Sequence, residues 1–169
     1  MKKIVVLVTL LSGLLLANPF AAGNKGIGIT VGTGSVTYSS GPWGLSSSVE
    51  NYYIVGLSGE FFVVDNLSLG LGYRGWFGGT PTINQATIPL TYYVPTGSKF
   101  RPYLGAFYRY TYISDDNYDN YSSAGGRAGL AILFQNGYAG FGWVQEVYLD
   151  RNSGDSSFGY PEVTIGFSF

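Results

Sequence analysis

Residues 158–169 read FGYPEVTIGFSF. From Pro161 onward the chain alternates. Pro161, Val163, Ile165, Phe167 and Phe169 fall on one parity, and Tyr160, Glu162, Thr164, Gly166 and Ser168 on the other. A period of two marks a β-strand with one apolar and one polar face. Taken alone, such a strand fits a soluble sheet as well as a membrane barrel. The same test applied upstream separates the two.

Eight segments alternate in this way: 26–38, 49–64, 67–77, 84–94, 101–113, 124–134, 138–149 and 157–169. The connections 65–66, 95–100 and 135–137 are short, and Asn136-Gly137 is a two-residue hairpin signal. The connections 39–48, 78–83, 114–123 and 150–156 are polar, and all but 78–83, which equals 95–100, are longer. Short and long connections therefore take turns. In an up-and-down barrel every second connection lies on the same rim, and outer-membrane barrels have short periplasmic turns and longer outer loops. The predicted fold is all-β, an eight-stranded antiparallel up-and-down transmembrane β-barrel occupying 23–169.

Charge placement gives the barrel its sense. The face with the larger apolar side chains carries Leu67, Leu69, Leu71 and Tyr73 in the third segment. It carries Ile88, Leu90 and Tyr92 in the fourth, and Phe141, Trp143 and Val147 in the seventh. Glu60, Arg74, Arg109, Arg127, Glu146 and Glu162 all take the other parity. A charge facing lipid at mid-depth costs about 2–4 kcal/mol, so in a membrane barrel these six point inward. A soluble ligand-carrying barrel would have the opposite sense. The remaining inward positions read as small, with Gly70, Gly72, Gly105, Gly129, Gly140, Gly142 and Gly166. Two places fit less well. Gln145 takes the outward parity, and the first segment loses its apolar face at Thr33 and Ser35, through a bulge or its exit from the bilayer.

Composition points the same way. Charged residues make up 11% of the chain, against about 25% in an ordinary soluble domain. Aromatic residues reach 17%, with 15 Tyr and 26 Gly. There is no Cys and no His. That removes disulfides, thiolate nucleophiles and the commonest general base. A net charge of −1 gives no basic face for nucleic acid. At the start, Met1-Lys2-Lys3 precedes a continuous apolar run from Ile4 to Ala17, and small residues follow. This is the layout of a secretory signal peptide, assigned to 1–22 with cleavage after Ala21 or Ala22.

Strand number, loop asymmetry, charge parity and the terminal Phe169 together resemble the small eight-stranded outer-membrane β-barrel superfamily, which includes the OmpA transmembrane domain, OmpX and Ail. The stretch 99–105, KFRPYLG, resembles the turn-to-strand segment common in that superfamily. The resemblance implies residence in the outer membrane of a Gram-negative bacterium, among outer-membrane lipid and lipopolysaccharide. It implies that Phe169 is the assembly signal, read by the barrel-assembly machinery through the C-terminal strand. It also implies a polar plug in place of an open channel. Barrel enzymes of this kind that act on lipid A use a His with a Ser, and this chain lacks His; no enzyme activity and no cofactor are expected.

The six inward charges are three acids and three bases. Counted from the short-turn rim, all but Glu60 lie seven or eight residues up, roughly 17 Å. Eight strands enclose a space just wide enough for side chains to fill, and buried charges must be paired. An interior ion-pair cluster ringed by Tyr hydroxyls is the expected content, with Arg127, Glu146 and Glu162 brought close by neighbouring strands. In the loops, Asp115, Asp116 and Asp119 form a solvated acidic stretch without the spacing of an EF-hand, and no metal site is expected. Trp43, Tyr118 and Tyr121 offer contact surface for a host or surface ligand, or belong to the interfacial girdle. A structural or surface-interaction role follows. A narrow pore or transporter, or a loop-borne adhesin, is the alternative.

Overall fold

Hydrocarbon offers no partner to a backbone N–H or C=O, so strands can cross it only if every ladder is closed. The computed structural model meets that condition and describes residues 18–40, 46–115, 118–149 and 157–169. Its strands are β1 (Lys25–Ser40), β2 (Ser46–Val64), β3 (Leu67–Phe77), β4 (Ile83–Tyr93), β5 (Phe100–Ile113), β6 (Tyr121–Phe134), β7 (Gly137–Tyr148) and β8 (Ser157–Ser168). Each pairs antiparallel with the next, and β8 returns to β1 to close the barrel. The first outer loop with Trp43, residue Asp116 of the third, and most of the fourth lie outside the described residues.

The closing seam is short. β1 pairs with β8 from Gly26↔Ser168 to Val31↔Val163, but with β2 along its whole length, from Lys25↔Phe61 to Ser40↔Ser46. β1 and β2 therefore rise together past the seam as a hairpin. Thr33 and Ser35 sit on that extension, exposed, in a register without a shift. Ser35 Oγ donates to Asn51 Oδ1 of β2 at 2.8 Å. No bulge in β1 explains their polarity. The one register shift next to β2 falls at its far end, between Phe62 and Val64. Gln145 also faces outward as its parity requires, and accepts from Trp143 Nε1 at 3.5 Å. The β3–β4 ladder breaks between Leu69↔Leu90 and Gly72↔Thr87, where Pro89 has no N–H to give.

Parity becomes inside and outside. In β4 burial alternates residue by residue: Thr87, Pro89, Thr91 and Tyr93 are buried, while Ile88, Leu90 and Tyr92 are exposed. The same alternation puts Leu71, Leu104, Leu130, Phe141 and Ile165 on the outer surface. Aromatic residues gather toward both rims of this apolar band. Tyr92, Phe100, Phe134 and Phe167 lie near the short turns, and Tyr53, Phe77 and Tyr112 near the long loops. Such girdles suit the polar–apolar boundary of a bilayer. Tyr121 and Tyr148 pack edge to face at 5.0 Å.

The short turns use two different devices. Asn66 takes a left-handed φ of 66° between β2 and β3, a conformation Asn tolerates. Between β6 and β7 the sequence signal is Asn136-Gly137, but Phe134 pairs with Gly137, so the turn residues are Gln135 and Asn136. Gly137 already belongs to β7. It is required by proximity, since a Cβ there would lie 2.0 Å from the carbonyl oxygen of Gly166 on β8.

Leu71 is 66% exposed near the middle of β3. Leu71→Arg is expected to lower the unfolding free energy in lipid vesicles by about 2–4 kcal/mol, measured by urea titration.

Candidate functional site

The barrel interior is layered. At the short-turn end Phe62, Tyr93, Tyr103, Ala131 and Tyr138 form an apolar cluster with Phe20, which comes from the segment 18–24 ahead of β1. At the long-loop end Tyr52, Ile54, Trp76 and Ile83 form a second, with Phe158 against it. Phe107, Val144 and Tyr160 make a third. The six charges named from the sequence lie between these layers.

Four of them form two separate ion bridges. Arg109 on β5 reaches across β6 to Glu146 on β7, its Nη1 donating to Glu146 Oε2. Both side chains are almost completely buried, at 1% and 3% exposure. Arg109 Nε donates to Thr87 Oγ1 at 3.0 Å, and Ser123 Oγ donates to Glu146 Oε1 at 3.0 Å. The guanidinium also lies over the Phe107 ring, 4.4 Å from its centre. Arg127 on β6 reaches across β7 to Glu162 on β8, with Nη2 2.7 Å from Oε1. Tyr103 donates its hydroxyl to the same oxygen at 3.3 Å.

Both pairs thus skip a strand, and glycine makes this possible. Gly125 on β6 is level with Glu146, and Gly142 on β7 is level with Glu162. A Cβ at Gly125 would lie 2.5 Å from Phe107, and one at Gly142 would lie 2.2 Å from the Tyr103 hydroxyl. Among the inward glycines, Gly129 and Gly142 leave the space that the Tyr103 side chain occupies. Gly166 does the same for Tyr138, whose ring would lie 2.4 Å from its Cβ.

Glu60 and Arg74 have no ion-pair partner among the described residues. Glu60 is held by a chain of hydroxyls: Tyr93 donates to Tyr138 at 3.0 Å, and Tyr138 donates to Glu60 Oε1 at 3.1 Å. Arg74 donates through Nη1 to the Tyr160 hydroxyl at 2.5 Å. A cavity of about 30 Å³ lies among Glu60, Arg74, Arg109, Arg127 and Glu162. That is space for about two waters in contact with several polar groups.

The sequence brought Arg127, Glu146 and Glu162 together by strand adjacency. The structure pairs Arg127 with Glu162 and gives Glu146 to Arg109. The sequence reading expected Tyr hydroxyls around the charges without naming Tyr93, Tyr103 and Tyr138, and it missed Thr87 and Ser123. Their inward parity was the available signal. Phe20 gave none, because it lies in what reads as the tail of a leader. Among the described residues, no group of three or more acidic side chains is placed to hold a metal.

No family model matches the chain. It is 29% identical over 161 residues to Outer membrane protein W of Escherichia coli (strain K12), a match covering 83% of this chain and 74% of that protein. The N-terminal β-barrel domain of Pseudomonas aeruginosa OprF superposes with a TM-score of 0.65 at 19% identity, covering 88% of this chain and 98% of the domain. Neisserial surface protein A superposes equally well, with a TM-score of 0.65 at 14% identity over 88% and 98% of the two chains. At those identities the structural likeness speaks for the fold, and the sequence likeness for the membrane. The chain is a small eight-stranded outer-membrane β-barrel, resident in the outer membrane of a Gram-negative bacterium.

Proposed function

We propose that this barrel is closed to ion flow, and that its role is structural or one of surface interaction through the outer loops. The observation that carries this reading is the pair of ion bridges, Arg109–Glu146 and Arg127–Glu162, each crossing an intervening strand between two aromatic layers. A charge taken out of water loses several kcal/mol of solvation, which only a well-formed pair with further hydrogen bonds recovers. Arg109–Glu146 has those bonds in Thr87 and Ser123, and Glu162 has one from Tyr103. Opening a path would require the pairs to part and the aromatic layers to move.

The outer rim is then the surface left for contact. Tyr112, Asp115, Tyr118 and Asp119 line an open hollow at the top of β5. Its tyrosines suit contact with a surface ligand.

Two measurements test this function. Refolded protein in a planar bilayer is expected to give no steady single-channel current, and sustained steps would contradict the closed reading. In urea unfolding from vesicles, Arg127→Met and Glu162→Gln alone are each expected to lose about 3–5 kcal/mol, because each leaves its partner buried and unpaired. The double variant is expected to recover most of that loss, and simple additivity would argue against the pairing.

A further inference from the structure

Phe20 is fully buried, although it lies within the stretch that the sequence assigns to a leader. Its ring stacks on Tyr93 with centres 4.0 Å apart at 17°, and lies 5.4 Å from both Phe62 and Tyr138. It thus sits directly against the Tyr93–Tyr138–Glu60 hydroxyl chain.

The backbone around it is equally committed. Asn66 N donates to Phe20 O at 2.7 Å, and Gly23 N to Phe62 O at 2.8 Å. Phe62 N donates to Asn24 O at 3.0 Å, and Ala22 N to Asp65 Oδ1 at 2.8 Å. These bonds prolong the β1–β2 ladder beyond Lys25↔Phe61 and cap the β2–β3 turn. Within the segment, Asn18 accepts at two atoms. Its carbonyl takes Ala21 N at 3.0 Å and Asn24 Nδ2 at 2.8 Å, and its Oδ1 takes Phe20 N at 3.2 Å. The segment from Asn18 to Asn24 is thus bonded into the folded unit along its length.

We propose that residues 18–24 are a permanent cork in the periplasmic mouth of the mature barrel, and that the leader is removed at the Ala17–Asn18 bond. This rests on the leader read from the sequence and is independent of the ion-pair closure. Cleavage after Ala21 or Ala22 would discard Phe20 and every bond it makes. Ala17, at the end of the apolar run beginning at Ile4, is the last small residue ahead of Phe20, and a leader is cut after a small residue. A leader peptidase acts on the unfolded chain during export, before Phe20 is buried. Water adds across the peptide bond: Ala17 leaves as a carboxylate, and the Asn18 nitrogen becomes the new terminal ammonium.

The test expresses the full chain in a Gram-negative host and extracts the product from the outer membrane for intact mass and N-terminal sequencing. A mature start at Asn18 is expected. A start at Ala22, Gly23 or later overturns the proposal, and an unprocessed Met1 start overturns the assigned bond. Independently, Phe20→Ala in a refolded chain starting at Asn18 is expected to lower the midpoint of heat-modified gel migration by roughly 10 °C. An unchanged midpoint overturns the cork. Steady conduction by a barrel starting at Asn18 would leave the assigned bond standing but overturn the cork together with the closed interior.

Discussion

Every feature of this chain follows from the lack of hydrogen-bond partners in hydrocarbon. A backbone that crosses a bilayer as strands must satisfy its N–H and C=O groups between strands, so the sheet has to close. The seam from Gly26↔Ser168 to Val31↔Val163 is where it does so. Once closed, strand parity has only two destinations, lipid or lumen. Leu71, Phe141 and Ile165 go to lipid, and Glu146, Arg109 and Glu162 go to the lumen. Where the β1–β2 hairpin rises past the seam, the rule relaxes, and Thr33 and Ser35 appear on the outer face.

The same closure creates a second problem inside. Eight strands leave a lumen that side chains must fill, and the charges sent there are cut off from bulk water. The chain answers with size complementarity. Glycines at 125, 129 and 142 give up their volume to Phe107 and Tyr103, and the arginines extend over those rings to acids two strands away. Each ion bridge therefore ties together strands that share no ladder. β5 is joined to β7 and β6 to β8, which braces the wall opposite β2 and β3. Glu60, lower in the barrel, is served by Tyr138, and the apolar cluster around Phe20 separates that group from the periplasmic rim.

Much of this was legible in the sequence. Strand positions came from a period of two and turn composition, which are local properties. The inward sense of six charges came from parity, which is also local. The pairing of Arg109 with Glu146 was not legible, because it depends on the stagger of three strands and on a glycine in the middle one. The large inward aromatics were under-read for a related reason: a strand such as β6, with Gly125 and Gly129 inward, looks empty until the ring from the neighbouring strand is placed in it. Asn136-Gly137 predicted a turn in the right place, but the glycine serves close contact with β8. Phe20 was hidden by composition, since an aromatic between Pro19 and Ala21 after an apolar run reads as leader.

The most direct measurement uses the absence of cysteine from the chain. Single cysteines at Ala86, Thr87, Ile88, Leu90 and Thr91 of β4, spin-labelled in lipid vesicles, report collisions with dissolved oxygen and with a water-soluble paramagnetic complex. Labels at 86, 88 and 90 are predicted to meet oxygen freely and the complex little, while 87 and 91 are shielded from oxygen. Equal accessibility along the strand, or the opposite alternation, would contradict a barrel with lipid outside and charge within.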